Sequence, residues 1–283
     1  MTSSHTTGRI AFIGGGNMAS ALIGGLIKSG TPLSRILVVE PYGDAQAALK
    51  TNFNLPALDR PDSALEAASL VVWAVKPQVF KEVAIQTRFH TKQALHLSVA
   101  AGIGSDSISQ WLGVSRVVRA MPNTPALIGR GITGLFARDG VQDADRLAVE
   151  QVISPTGQLL WVAQEAHIDA VTALSGSGPA YVFYFLEAMA QAGADMGLPR
   201  DQALQLAIAT FSGAAELAKQ SAEPPEILRS PPTQPFSRWS RTTYATCSCE
   251  PCMPRGTGRG RWGRSLGVKP TPATHPTYCV VQA

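Results

Sequence analysis

The first 228 residues contain no cysteine; Cys247, Cys249, Cys252 and Cys279 all lie later in the chain. This excludes a disulfide framework and thiol chemistry from most of the molecule. Long apolar runs are also missing, so no segment has the roughly 18 apolar residues of a membrane-spanning helix. The opening residues, 1–8, are polar and lack the apolar core of a signal peptide, which makes the cytoplasm the expected location. No cluster of metal-ligating residues stands out before residue 229, and no metal is expected. An excess of positive charge is missing too, although the formal net charge is +4. Eight of the 24 Lys and Arg residues, but only Glu250 of the 20 acids, fall in residues 229–283. The preceding 228 residues therefore carry −3, an ordinary value for a globular protein.

The clearest positive signal lies near the N-terminus. The short apolar run at residues 10–13 leads into Gly14-Gly15-Gly16-Asn17-Met18-Ala19, and an apolar helical pattern follows. This is the strand–turn–helix setting in which G-x-G-x-x-[G/A] binds a dinucleotide. Gly14 permits the tight turn, Gly16 lets a pyrophosphate approach the backbone, and Ala19 lets the helix pack closely on the strand. Free N–H groups at the helix start suit the pyrophosphate. The alternative is a glycine turn that binds nothing.

Through about residue 160, strand patterns alternate with helical ones. Strands are expected at residues 36–39, 70–75, 94–99 and 116–121, with weaker candidates at 131–137 and 157–162. A helix is expected at residues 44–51. The unbroken apolar run Leu70-Val71-Val72-Trp73-Ala74-Val75 reads as a strand buried on both faces. This alternation predicts an α/β fold, a parallel sheet covered by helices on both sides. Glu40 ends the second strand, about 20 residues after the glycine loop, where an acid usually bonds a ribose 2′-hydroxyl. It leans the reading towards NADH, while Tyr42 and its neighbours leave room for NADPH.

After about residue 164 the pattern becomes wholly helical, with helices expected at residues 167–174, 179–196 and 199–220. They are apolar on more than one face, and such helices must be buried. So few residues cannot bury them alone, which implies packing against a second copy. From about residue 230 periodicity disappears, and eight prolines and several Arg-Gly and Gly-Arg pairs give a disordered composition. The expected division is 1–163, a dinucleotide-binding domain; 164–228, an incomplete helical dimerisation and substrate domain; and 229–283, an aberrant tail.

Further motifs stack in order. Ala74-Val75-Lys76-Pro77-Gln78 and Ser98-Val99-Ala100-Ala101-Gly102-Ile103 follow strands. Arg119-Ala120-Met121-Pro122-Asn123-Thr124-Pro125-Ala126 and Ala173-Leu174-Ser175-Gly176-Ser177-Gly178-Pro179-Ala180 come later. With Phe12-Ile13-Gly14-Gly15-Gly16-Asn17-Met18-Ala19, they make residues 9–228 resemble the pyrroline-5-carboxylate reductases. The resemblance implies a Rossmann-like domain followed by an all-α domain that interlocks two subunits. It implies reduction of the C=N bond of 1-pyrroline-5-carboxylate by NADPH or NADH, giving L-proline in the final step of proline biosynthesis. Another imine or 2-hydroxy-acid reductase of the same fold, and an inactive nucleotide-binding remnant, are the competing readings.

By the same resemblance, Ile13, Gly14, Gly15, Gly16, Asn17, Met18, Ala19, Ala74, Val75, Lys76 and Pro77 bind cofactor. Ala100, Ala101 and Gly102 line its nicotinamide side. Lys76 offers a charge to a phosphate or carboxylate, or is a solvated loop lysine. Asn123 bonds cofactor or substrate, or caps a turn between Pro122 and Pro125. Ser175, Gly176, Ser177 and Gly178 end one helix and begin another, so their amides either shape the substrate pocket or form a close-packed corner.

The resemblance also implies a Ser-Pro-Gly-Gly-Thr-Thr-like segment whose amides hold the substrate carboxylate and whose threonine bonds the pyrroline nitrogen. Here Ser230-Pro231-Pro232-Thr233-Gln234 stands instead, leaving Thr233 as the remnant catalytic candidate. Back-translated with suitable codons and read from the third base, residues 234–266 permit an amphipathic, charge-balanced helical sequence. A reading-frame slip is therefore expected. It undercuts a zinc site at Cys247, Cys249 and Cys252 and nucleic-acid binding through the arginines of residues 255–264.

Overall fold

A computed structural model describes residues 8–229. Thr233, the tail cysteines and the arginines of residues 255–264 lie outside the described residues. The chain through Ala222 forms one compact unit, and a second begins at Glu223. In the second, the short helix α9 (Pro225–Leu228) is the only described element.

The first unit is built on a seven-stranded sheet of order β2-β1-β3-β4-β5-β6-β7. The strands are β1 (Arg9–Ile13), β2 (Ile36–Val39), β3 (Ala68–Trp73), β4 (Leu95–Ser98), β5 (Val117–Met121), β6 (Gly131–Ala137) and β7 (Gly157–Trp161). The helices are α1 (Asn17–Lys28), α2 (Gly43–Phe53), α3 (Pro77–Thr87), α4 (Ser105–Leu112), α5 (Asp143–Ile153), α6 (His167–Val171), α7 (Gly178–Asp195) and α8 (Arg200–Gln220). Side chains alternate across each strand. Ile10 and Phe12 pack on one face with Leu22, Leu26 and Val149; Ala11 and Ile13 pack on the other with Phe80, Ala84 and Ile108. This two-faced burial makes β1 and β3 read as unbroken apolar runs. Beyond β2 the chain adds one isolated parallel bridge, Val39 to Leu58.

The sheet is mixed, not wholly parallel. Strands β1 to β5 run parallel, but β6 pairs antiparallel with β5, and β7 runs parallel to β6. The physical reason is the connector. Between Met121 and Gly131 the chain holds one 3₁₀ turn, Thr124–Ile128. A parallel crossover needs a dozen or more residues.

Helices α7 and α8 pack on each other, with Gly193 against Ala203 and Phe185 against Phe211. Their other faces leave Tyr181, Phe183, Tyr184, Leu206, Ile208 and Leu217 exposed, Phe183 at 64%. An apolar surface of this extent marks an interaction site. Among the described residues, no helix is long and apolar enough to cross a membrane.

His96, on β4, is one of several polar residues enclosed in the core and is wholly buried. Trp73 Nε1 donates to its Nδ1 at 3.0 Å, and its Nε2 lies 3.1 Å from the Thr91 carbonyl. An indole nitrogen only donates, so Nδ1 must accept and Nε2 must carry the proton. Burial, opposed by the Thr91 hydrogen bond and aided by Arg116, lowers the His96 pKa to about 4. The unfolded chain takes up a proton as pH falls below about 6.5, while the folded protein does not until about pH 4. Across that window His96 is expected to lower stability by up to about 1.4 kcal/mol per pH unit of acidification. Urea unfolding at pH 7 and pH 5 should give a smaller pH difference for His96→Gln than for the native chain. An equal difference contradicts this reading.

Candidate functional site

Three strand ends meet at the glycine loop. Gly14 N–H donates to the Val39 carbonyl at 2.8 Å, and Ala74 N–H donates to the Ile13 carbonyl at 2.8 Å. Gly14 has φ +96°, and a Cβ there would stand 2.5 Å from the Ala74 carbonyl oxygen. Only glycine fits both constraints. Gly15 is buried; a Cβ on it would meet Leu49 and Glu40. Gly16 and Asn17 are exposed, and a Cβ on Gly16 would meet nothing within 4 Å. Helix α1 starts there with no side-chain cap, so the amides of Asn17, Met18 and Ala19 have no acceptor within the helix. An open, glycine-lined helix start with unpaired amides fits a diphosphate.

Glu40 has a role the sequence did not disclose. It is 5% exposed. One carboxylate oxygen accepts Gly15 N–H at 2.7 Å and the other accepts Tyr42 N–H at 2.9 Å. The acid thus ties the end of β2 to the glycine loop. Each oxygen keeps a further lone pair after these bonds, so the expected contact with a ribose hydroxyl is compatible with them.

The other assigned residues cluster at the same ends of the strands. Ala74 and Val75 are half-buried after β3, Lys76 is the exposed N-cap of α3, and Pro77 is its first residue. After β4, Ala100 is buried, while Ala101 and Gly102 form an exposed turn with φ +74° at Gly102. Asn123 spends its side-chain oxygen on Ile132 N–H at 3.0 Å, bracing the turn between β5 and β6. It makes no side-chain cap on the turn Thr124–Ile128 that follows it.

Ser175, Gly176, Ser177 and Gly178 lie on a continuous helical path, not at a corner between two helices. Helix α6 ends at Val171 and passes directly into a π-turn, Thr172–Gly176, and then α7. Ser177 N–H bonds the Thr172 carbonyl at 2.9 Å, so that amide is not free for an anion. Single π-turns inside helices are frequent at functional sites. Gly176 faces Met121, whose Cε would be 2.6 Å from an added Cβ. The Met121-Pro122-Asn123 and Ser175–Gly178 motifs, far apart in the chain, are thus packed together.

Sequence reasoning missed Glu165. Its Oε1 accepts Ser105 N–H at 2.6 Å and an Arg119 guanidinium N–H at 2.7 Å; its Oε2 accepts the Ser105 hydroxyl at 2.6 Å. Burial pushes its pKa up, but the Ser105 and Arg119 bonds outweigh it and hold the carboxyl below its ordinary range. A lone acid in a loop, 60 residues from its partner, leaves no local pattern to read.

A cavity of about 870 Å³ lies at the opposite end of the sheet, lined by Ile10, Leu70, Leu95 and the Arg116–Asp145 ion pair. No glycine-loop residue lines it. Ligand crevices in open α/β sheets form at the carboxyl ends of strands, where the connections reverse direction. Here that point is the C-terminal end of β1, flanked by β2 and β3.

The fold and this loop define a nucleotide-dependent oxidoreductase of the Rossmann-like class. The family model described as NADP oxidoreductase coenzyme F420-dependent matches residues 9–102, and that described as pyrroline-5-carboxylate reductase dimerisation matches residues 165–236. The pyrroline-5-carboxylate reductase of Pseudomonas aeruginosa is 43% identical over 233 residues, covering 81% of this chain and 85% of that one. The Pisum sativum enzyme is 37% identical over 237 residues, covering 83% and 85%. The solved pyrroline-5-carboxylate reductase of Coxiella burnetii superposes with a TM-score of 0.76 at 34% identity, covering 86% of this chain and 92% of that one. The Plasmodium falciparum pyrroline carboxylate reductase, solved with NADP bound, gives 0.74 at 26% identity, covering 84% and 89%. The chain belongs to the pyrroline-5-carboxylate reductase family.

The open space at Gly16 yields a clean test. Gly16→Val should fold with a melting temperature within a few degrees of the native chain, since its φ of −71° suits valine and nothing crowds the side chain. Its Kd for NADPH, measured by fluorescence titration, should rise at least about tenfold as the new side chain fills the diphosphate approach. An unchanged Kd contradicts the loop assignment.

Proposed function

We propose that this protein reduces 1-pyrroline-5-carboxylate to L-proline with NADPH or NADH. The observation that carries the reading is the open helix start at Gly16 sharing one end of the sheet with the Ala100–Gly102 turn and the packed Met121–Gly176 pair. When bound, the reduced nicotinamide supplies a hydride to the imine carbon. The imine nitrogen needs one proton as well, and the pyrroline ring enters carrying it.

The chain's own residues act by binding and orientation. Amides of Asn17, Met18 and Ala19 hold the diphosphate, with Gly14 and Gly15 fixed behind them by Ala74 and Glu40. Ile13, Ala74, Val75 and Pro77 form the floor of the dinucleotide site, and exposed Lys76 places a positive charge at its mouth. Ala100, Ala101 and Gly102 bound the nicotinamide. Ser175, Gly176, Ser177 and Gly178 shape the substrate side through packing on Met121, and Asn123 braces the turn beside it. Holding both reactants in one geometry removes much of the entropic barrier.

In this reading residues 1–163 form the cofactor domain and residues 164–228 begin the substrate and dimerisation domain. The exposed faces of α7 and α8 pair with a second copy, giving a cytoplasmic homodimer or larger assembly. We also infer a frame change near residue 234. The match to the dimerisation family model ends at residue 236, beside Ser230-Pro231-Pro232-Thr233-Gln234. Resequencing the codons for residues 228–236 should restore a glycine-glycine-threonine segment; an unchanged frame removes this inference.

The direct assay follows reduced-nicotinamide absorbance with the full chain. Oxidation should require 1-pyrroline-5-carboxylate and yield proline in equal amount. NADPH binding with no substrate-dependent oxidation would sink the assignment.

A further inference from the structure

Helix α4 starts at Ser105, three residues after the Gly102 turn, and its N-cap is Gly104, which has no side chain with which to cap. The missing cap is imported. Glu165, in the loop before α6, takes both the backbone N–H and the hydroxyl of Ser105, at 2.6 Å each. The same carboxylate pairs with Arg119 at 2.7 Å. Arg119 is 7% exposed and lies in mid-β5, two residues before Met121. On the far side of Ser105, Arg138 donates to the same hydroxyl at 3.3 Å and pairs with Asp106.

One carboxylate therefore joins three segments. Ser105 continues from the Ala100–Gly102 turn. Arg119 leads into Met121 and Asn123. Glu165 itself opens the helical region, and its carbonyl accepts Ile168 N–H at 2.9 Å at the start of α6. The helical path then runs through the π-turn to Ser175–Gly178. An ionised carboxylate suits this junction because all three of its partners donate. A glutamine would lose the charge that pairs with Arg119, and its NH₂ group could meet only the Ser105 hydroxyl, with that hydroxyl reversed from donor to acceptor.

We propose that Glu165 is a positioning residue that sets the distance between the nicotinamide turn and the substrate segment by clamping Ser105, Arg119 and the start of α6 together. The inference rests on the reductase reading for the identity of the two sides. The adenosine half of the cofactor, at the glycine loop, lies outside the clamp. A role confined to overall stability would weaken every ligand alike, whereas a positioning role is selective for ligands that carry nicotinamide.

The test compares NADPH with 2′-phospho-ADP-ribose, which lacks the nicotinamide ring, on the full-length protein. For Glu165→Gln the NADPH Kd should rise about tenfold, as expected for a charge-assisted hydrogen bond lost, while that of 2′-phospho-ADP-ribose should stay within about twofold. Ser105→Ala removes only the hydroxyl contact and should shift NADPH binding in the same direction by less. Glu165→Asp keeps the charge and should lie between Gln and the native chain. Equal weakening of both ligands, or of neither, overturns the proposal. If Glu165→Gln does not fold, Ser105→Ala decides the question by the same comparison. Variants that discriminate the ligands in this way, with native protein that never oxidises NADPH with 1-pyrroline-5-carboxylate, defeat the reductase reading and leave the clamp standing.

Discussion

The structure depends on the approach of Gly14 to the backbone of Ala74. The chain leaves β1, turns through Gly14 to one side of the sheet for β2, and returns across β1 to form β3. At the reversal, the ends of three strands are bonded through Gly14, Val39, Ile13 and Ala74 within a gap that admits no Cβ. The unpaired amides of α1 are held over that gap. Glu40 completes the arrangement from behind, because its carboxylate fixes Gly15 and leaves Gly16 open to solvent. A rigid, partly open helix start lets a fixed dipole meet a diphosphate without reorganisation.

A second junction sits across the site. Glu165 joins α4, β5 and α6, while the packing of Met121 on Gly176 joins β5 to the π-turn. The turn at Ala100–Gly102 and the helices after Glu165 are therefore coupled through β5.

Much of this was legible in the sequence, for identifiable reasons. Strands such as Ile36–Val39 and Gly131–Ala137 coincide with their apolar runs because turn residues bound them on both sides. The glycine loop was legible because each of its residues meets a different steric demand. The direction of β6 was not, because pattern and period are the same for either direction; the short connector after Met121 carried that information. The helix break at Ser175–Gly178 was read from glycine content, yet the Thr172 carbonyl and Ser177 amide carry the helix through as a π-turn. The bonds of Glu40 to the amides of Gly15 and Tyr42 left no signal, because local spacing shows the end of a strand and not the amides beside it. Glu165 left no signal, since the partners of its side chain lie more than 40 residues away.

The central claim is that the C-terminal end of β1, and not the cavity at the other end of the sheet, receives the cofactor. Amide hydrogen exchange with and without NADPH tests it most directly. Protection is expected at residues 13–19, 74–77 and 100–105, with residues 29–35 and 144–155 unchanged. Protection confined to residues 29–35 and 144–155, which line the opposite cavity, would contradict the account.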